Sequence, residues 1–396
     1  MNVLILTLGS LGCSSGSDAV GDDYSVNGVG EALFDVHGAG AQRSDPKTGD
    51  AADYAGGHGP QGDVVRVYNY ARCVRGDSDA LPDTHQVDCW GASAGEVDCS
   101  GTGQDGEVVG AGPEYSLDGG VVTDEISGLM WTAATDFSTF EGADALASGL
   151  VAGGYDDWRL PSVSELYTLI DYSGSTGTAS PESASAPDDA VPYVDDSVFD
   201  FEYASGARYI DVQYLSSTQY VSQVTLSDAQ GPVDVFMGVN FADGRIKGYP
   251  MSGSGGESEY EVWFVRGAEA GLSFTDNGDA TVSDDNTGLM WMQEDSGAGM
   301  DWPAALEHCE GMELAGLDDW RLPNAHELQS IVDYGRSPDT TDSAAIDPVF
   351  ESTPILDEEG DLDWPFYWSS TTHKDGVEQW EWAVYVAFGE AKGYGQ

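Results

Sequence analysis

The side chains in this chain that could ligate a metal, move a proton or attack a carbon are six histidines, five cysteines and 70 acidic residues. Zinc and nucleophilic sites demand fixed spacings, because their members must converge from one helix face or one turn. His37, His58, His85, His308, His326 and His373 show neither a His-x-His nor a His-Glu-x-x-His spacing. His326 is expected at the surface, in a helix-capping turn. No nucleophile elbow, phosphate loop or dinucleotide-binding turn is recognised in a strand-to-helix setting. Carboxylates are so common that no acid/base pair can be singled out by separation. The acidic turns Asp118-Gly119-Gly120 and Asp276-Asn277-Gly278-Asp279 could hold calcium, but the EF-hand spacing with its bidentate Glu is missing. Turn formation is the plainer reading, so no catalytic, cofactor-binding or metal residue is nominated.

The formal charge of −56, from 70 acidic against 14 basic residues, is spread along the whole chain. An acidic skin repels nucleic acid and anionic membranes, so neither is an expected partner. Its plain explanation is a salty medium, where counterions screen it. Collection of cations is the sharper alternative. With 40% hydrophobic residues, the 396-residue chain can bury two or three cores. Residues 3–12 form an apolar run that stops at Cys13 before a polar stretch, resembling a bacterial lipoprotein signal (1–13) with Cys13 as the lipidated residue. No Lys or Arg precedes the run, and Ser10 and Leu11 reverse the usual order. Membrane contact is expected only through such an anchor, and the location is expected to be extracellular or the cell envelope.

The elements that must position any site come in two copies. Asp156-Asp157-Trp158-Arg159-Leu160-Pro161 returns as Asp318-Asp319-Trp320-Arg321-Leu322-Pro323, and Gly128-Leu129-Met130-Trp131 as Gly288-Leu289-Met290-Trp291. A period near 160 residues, ~100 to 150 of them per globular unit, indicates a duplicated domain and not a solenoid. Each copy opens with a hairpin signal, at 117–123 and 276–282. Ser162 with Glu165, and Asn324 with Glu327, are capping boxes that predict a helix in each copy. Its buried face should be Leu166, Leu169 and Ile170, matched by Leu328, Ile331 and Val332. An earlier helix is expected at 143–151 and 303–314. Later strands are expected at 214–218 and 235–241, matched by 367–371 and 383–388. This order predicts an α+β domain.

These residues carry a resemblance. Gly-Leu-Met-Trp, Asp-Trp-Arg-Leu-Pro-x-x-x-Glu-Leu, Trp-Ser-Ser-Thr and Val-Arg-Gly, in that order, resemble the Lcl C-terminal domain family, over about residues 24–76 and 114–396. The Trp-Arg-Leu-Pro-x-x-x-Glu block is also similar to C-type-lectin-like folds, including formylglycine-generating enzymes. The resemblance implies tandem C-type-lectin-like domains with short helices and antiparallel strands, on a secreted or surface protein. A family adhesin binds sulfated glycosaminoglycans, a ligand that fits a chain of −56 poorly. The copper-binding cysteine pair of the formylglycine-generating enzymes has no evident counterpart.

Members of the family usually end in a strand reading Arg-Cys-Val-Arg-Gly. Repeat one (114–268) has a version without Cys, Trp263-Phe264-Val265-Arg266-Gly267, whereas repeat two (269–396) lacks its last strand. A full version stands near the N-terminus, Arg72-Cys73-Val74-Arg75-Gly76, within a partial family-like segment at 24–76. The family often pairs the Cys of this strand with one in the early helix, where Cys309 lies. The resemblance therefore implies a Cys73–Cys309 disulfide, with the N-terminal segment closing repeat two. Cys89 and Cys99 are then left to pair within the Gly-rich linker 77–113. The alternative is that 24–76 is the remnant of a separate, truncated domain.

Ten arginines stand in the chain, and Arg75, Arg159, Arg266 and Arg321 occupy motif positions. Pairing with carboxylates is expected there, with Glu165 and Glu327 as partners. Trp131, Trp158, Trp291 and Trp320 are expected to pack the core. Trp364, Trp368, Trp380 and Trp382 are expected as an exposed sugar platform. The functional expectation is a non-enzymatic adhesion module for a carbohydrate or another surface polymer. The rivals are a structural envelope protein and an enzyme of the formylglycine-generating type.

Overall fold

The structure is a computed structural model that describes residues 33–93, 95–180, 183–205, 208–226, 231–252 and 258–394. Cys13 and the signal-like segment lie outside the described residues. Short helices and antiparallel strands make a sheet-rich α+β fold. No described helix is long and apolar enough to cross a membrane.

Each helix starts at a side-chain cap. Helix α1 (Phe140–Gly149) begins at Thr139, whose hydroxyl accepts from Gly142 N, and buries Ala143 and Ala147. Helices α2 (Val163–Tyr167) and α4 (Ala325–Ser330) open with the capping boxes Ser162/Glu165 and Asn324/Glu327. Between them in sequence, α3 (Trp302–Glu310) is capped by Asp301 and carries Pro303 in its first turn. Such caps are each worth about 1 kcal/mol. Helix α2 is shorter than the apolar periodicity suggests. After Tyr167 the chain tightens into three-residue turns, Leu169 N to Leu166 O and Ile170 N to Tyr167 O, yet both residues stay buried. Helices α2 and α4 meet face to face, where Gln329 Nε2 donates to Ser164 Oγ at 3.0 Å.

The hairpins stand where the glycines allow positive φ. Tyr115–Asp118 pairs with Val121–Asp124 around Gly119 and Gly120, at φ 59° and 82°. Phe274–Asp276 pairs with Thr281–Asp284. The third strand of each set, Met130–Thr132 or Met290–Met292, receives a closing strand on its far side. In repeat one this is Val265–Arg266, with Val265 opposite Trp131. In repeat two it is Val74–Arg75, with Val74 opposite Trp291. The same partner is thus supplied from within one repeat and from the N-terminal segment in the other. Cys73 is disulfide-bonded to Cys309 of α3, Cα atoms 5.5 Å apart, and Cys89 to Cys99.

A five-stranded sheet joins the two copies, in the order Val235–Asn240, Arg245–Pro250, Gln42–Pro46, Trp382–Ala387, Phe366–His373. Its middle strand, Gln42–Pro46, runs from Gln42 opposite Val386 to Pro46 opposite Trp382, and Gln42 also faces Ile246. Gly40 leads into it at φ +88°; a Cβ there would lie 2.4 Å from the Tyr334 ring, so only glycine fits. Residues 214–218 make isolated bridges at Tyr214, not the expected strand, whereas their counterparts lie within the strand Phe366–His373.

The stretch 77–113 is not a loose linker. Thr84, Gln86, Gln104 and Asp105 are buried. Thr84 O accepts from Tyr172 N, and Gln86 grips Thr372 through both ends of its amide at 2.7 Å. Its glycines shape turns, and its polar side chains satisfy backbone groups of both repeats.

The Cys73–Cys309 bridge spans a sequence separation of 236 residues. In the chain-entropy account, such a loop is stabilised by roughly 5 kcal/mol. Replacing both cysteines by serine should lower stability by about 3–5 kcal/mol in denaturant unfolding. Peptide mapping without reductant should recover the two cysteine peptides joined, and an alkylatable Cys309 would contradict the pairing.

Candidate functional site

The repeated motif is a brace. Arg159 forks onto Glu165 (2.7 and 2.5 Å) and donates to Gly267 O; Arg321 forks onto Glu327 (2.6 and 2.6 Å) and donates to Gly76 O. One guanidinium thereby ties the motif helix to the end of the closing strand. The same glutamates accept from the N-cap backbone N–H of Ser162 and Asn324, so their oxygens are consumed. A second pair of forks repeats the pattern, Arg266 on Asp157 and Arg75 on Asp319. Pro161 O and Pro323 O accept from Ser217 N and Ser370 N, and the hydroxyls of Thr218 and Thr371 accept from the first-turn amides of Val163 and Ala325. This explains why Ser-Ser-Thr recurs: it seats the motif helix on the sheet. Trp158, Leu160, Trp320 and Leu322 are buried beneath it, as are Trp131 and Trp291.

The middle strand holds a buried polar hub. Arg43 pairs with Asp63, which also bonds His37 at 2.7 Å, while Asp45 accepts from Asn69 Nδ2 and from Arg66 N and Val67 N. Arg245 of the neighbouring strand pairs with Asp375 and Asp243. Burial pushes His37 and His373 down to about 4, so both rings are neutral, and His373 spans Ser44 Oγ and Asp243 O. These groups bond one another and leave no free nucleophile–base pair among them.

Asp105 is the most perturbed acid in the segment 77–113. Its Oδ2 accepts from Thr84 Oγ1 (2.8 Å) and Thr371 Oγ1 (2.5 Å), and its Oδ1 is buried without a partner. Beside it lies a cavity of about 30 Å³, room for one water, also lined by Asp83, Arg321 and Glu327. Burial, then the Asp83 charge, raises Asp105 to about 8 against its two hydroxyl bonds. The carboxyl therefore sits protonated in neutral solution, bonded to the threonine that caps α4.

Several sequence expectations are corrected. His326 is not at the surface: it is 1% exposed, bonds Pro82 O at 2.9 Å and packs edge-on against Tyr167 and Tyr172, because segment 77–113 covers it. The four-tryptophan platform does not exist as a surface. Trp364 and Trp368 are buried, Trp368 Nε1 donating to Met300 O, while Trp380 and Trp382 are half-buried and Trp382 packs against His58 and Tyr54. In the second acidic turn the carboxylates are engaged locally, Asp276 by Gly278 N and Asp279 by Thr281 N. Among the described residues, Asp357, Glu359 and Asp361 do bring three carboxylates within metal-binding reach of one another. The Lys392 ammonium already pairs with Asp357 and Glu359 there.

Sequence reasoning passed over Trp90. It stands on the small hairpin Cys89–Trp90/Glu96–Val97, which the Cys89–Cys99 bridge closes. Opposite lies α3, and between them runs an open groove of about 340 Å³. A tryptophan beside a cysteine in a Gly-rich stretch was the available signal, but only the fold places it against α3.

Two homologous sheet-rich copies, each braced by an Arg–Glu fork and fused through a common sheet, define the class of protein. The chain belongs to the Lcl C-terminal domain family, which matches residues 120–266 and again 280–396. No curated protein and no solved structure matches it.

Two outcomes are expected. Lysine cannot fork onto a carboxylate, so Arg321→Lys should cost about 1–3 kcal/mol in denaturant unfolding and Arg159→Lys a similar amount. Asp105 has a folded pKa above its unfolded value, so its contribution to stability is full at acid pH and is lost as pH rises from about 4 through about 8. Asp83, Glu327 and Arg321 line the same small cavity and are unaltered in the variant. Asp105→Asn should flatten that loss and melt a few degrees above the parent near pH 9, as followed by thermal melts across pH.

Proposed function

We propose that the protein is a non-enzymatic binding or adhesion module of the cell surface or extracellular space, with two lectin-like domains that recognise a carbohydrate or another surface polymer. The observation that carries this reading is the use made of the shared motif. Arg159, Glu165, Arg321 and Glu327, the charged residues that the motif repeats in both copies, are bonded to one another and to backbone. A braced scaffold of this kind leaves ligand recognition to the loops and insertions around it. Fusion of two copies through one sheet fixes their spacing, which raises avidity for a repeating polymer without new contacts. Two disulfides suit an oxidising compartment, and a lipid on Cys13 would tether the chain there.

A glycan array probed at low and high salt, each with calcium and with chelator, tests the reading. Saturable, sugar-specific binding is expected, with sulfated glycans rejected by the −56 charge. A blank array in all four conditions, accompanied by self-association, would favour a structural envelope protein instead.

A further inference from the structure

A pocket of about 290 Å³ opens in repeat two, walled by the turns that follow α4 and by Trp364, just ahead of the strand Phe366–His373. Ile346, Phe350 and Trp364 give it a buried apolar wall, while Arg336 and Asp347, both half-buried, and the exposed Asp342 bring charge. The volume is close to the lower end of ligand pockets, ~300 Å³.

Arg336 stands apart from the other arginines. Each of them pairs with a carboxylate except Arg72, which is held by backbone carbonyls such as Gln293 O and Glu351 O. Arg336 donates from Nε alone, to Ser343 Oγ at 3.1 Å, and Ser343 is steadied by Thr341 Oγ1 at 2.8 Å. Its two terminal nitrogens have no partner among the described residues, and neither is sealed from solvent. Anchoring at Nε leaves that pair free to grip one planar acceptor. Scarcity of acids is not the reason, in a chain with 70 of them. Asp342 and Asp347 line the same pocket and form no ion pair with it; Asp347 accepts from Val349 N at 2.8 Å, and the Asp342 carboxylate makes no hydrogen bond.

A second open donor lies in the apolar wall. The Trp364 side chain is 9% exposed and its indole N–H has no acceptor in the protein, yet it is not sealed, unlike those of Trp131, Trp291 and Trp320. Repeat one has no Lys or Arg between Arg159 and Arg208, so the arrangement belongs to repeat two alone.

We infer that this pocket binds a zwitterionic α-amino acid with an apolar side chain. The carboxylate forks onto the terminal nitrogens of Arg336 and accepts from the Trp364 N–H, the ammonium pairs with Asp347 and Asp342, and the side chain packs on Ile346 and Phe350. A bare anion would meet the two aspartates and the −56 charge, and a bare amine would meet Arg336; a zwitterion satisfies both signs and carries no net charge. The ligand is additional to any surface polymer and does not depend on that reading.

The test is calorimetric titration of the full chain with leucine, with N-acetylleucine, which lacks the ammonium, and with leucinamide, which lacks the carboxylate. One saturable site for leucine is expected, with each analogue at least tenfold weaker. Arg336→Gln should abolish leucine binding while leaving the melting temperature unchanged, since one hydrogen bond ties that side chain to the protein. Arg336→Lys keeps the charge without the fork and should weaken leucine severalfold. Asp342→Asn with Asp347→Asn should bring leucine down to the level of N-acetylleucine. Leucine binding that survives Arg336→Gln, an analogue that binds the parent as tightly as leucine, or no leucine binding at all would overturn the site.

Discussion

The strand Gln42–Pro46 is the constraint on which the rest depends. It lies in the middle of the sheet, buried along its whole length, yet it carries Gln42, Arg43, Ser44 and Asp45. A buried charge without a partner is worth several kcal/mol of destabilisation, so each of these side chains must find one. Asp63 meets Arg43, the amides of Arg66 and Val67 and the side chain of Asn69 meet Asp45, and His373 meets Ser44. Those partners come from the following loop and from repeat two. Pairing the strand therefore folds residues 58–70 onto the sheet and delivers Cys73 and Val74 to their places beside Cys309 and Trp291.

The same economy of parts explains the two identical motif stretches. A helix that starts beneath the sheet leaves orphan amides, and a closing strand that ends beside it leaves orphan carbonyls. One Arg–Glu fork serves both ends, with the glutamate capping the helix and the guanidinium reaching Gly267 O or Gly76 O. Because the geometry is the same, the residues are the same, although the closing strand comes from a different part of the chain in each copy.

Segment 77–113 differs in kind, since repeat one carries no such stretch at the corresponding place in its sequence. It spans both repeats through Thr84, His85 and Gln86, covers His326, buries Asp105 against the cap of α4 and raises Trp90 opposite α3. A Gly-rich composition looks like flexibility in one dimension. In the fold it supplies tight turns that let polar side chains reach backbone on both repeats.

Local rules sufficed for what is local in the protein. Capping boxes at Ser162 and Asn324, hairpin turns at Gly119 and Gly278, and the duplication itself follow from neighbouring residue types, because the bonds concerned span only a few residues. The pairing of Arg159 with Glu165 and of Arg321 with Glu327 was legible for the same reason. Tertiary structure alone decided which chain segment lies in the middle of the sheet, that Trp368 is buried while Trp90 lines a groove, and that His326 is covered. Burial and charge perturbation arise from residues tens or hundreds of positions away, and no local pattern carries that distance.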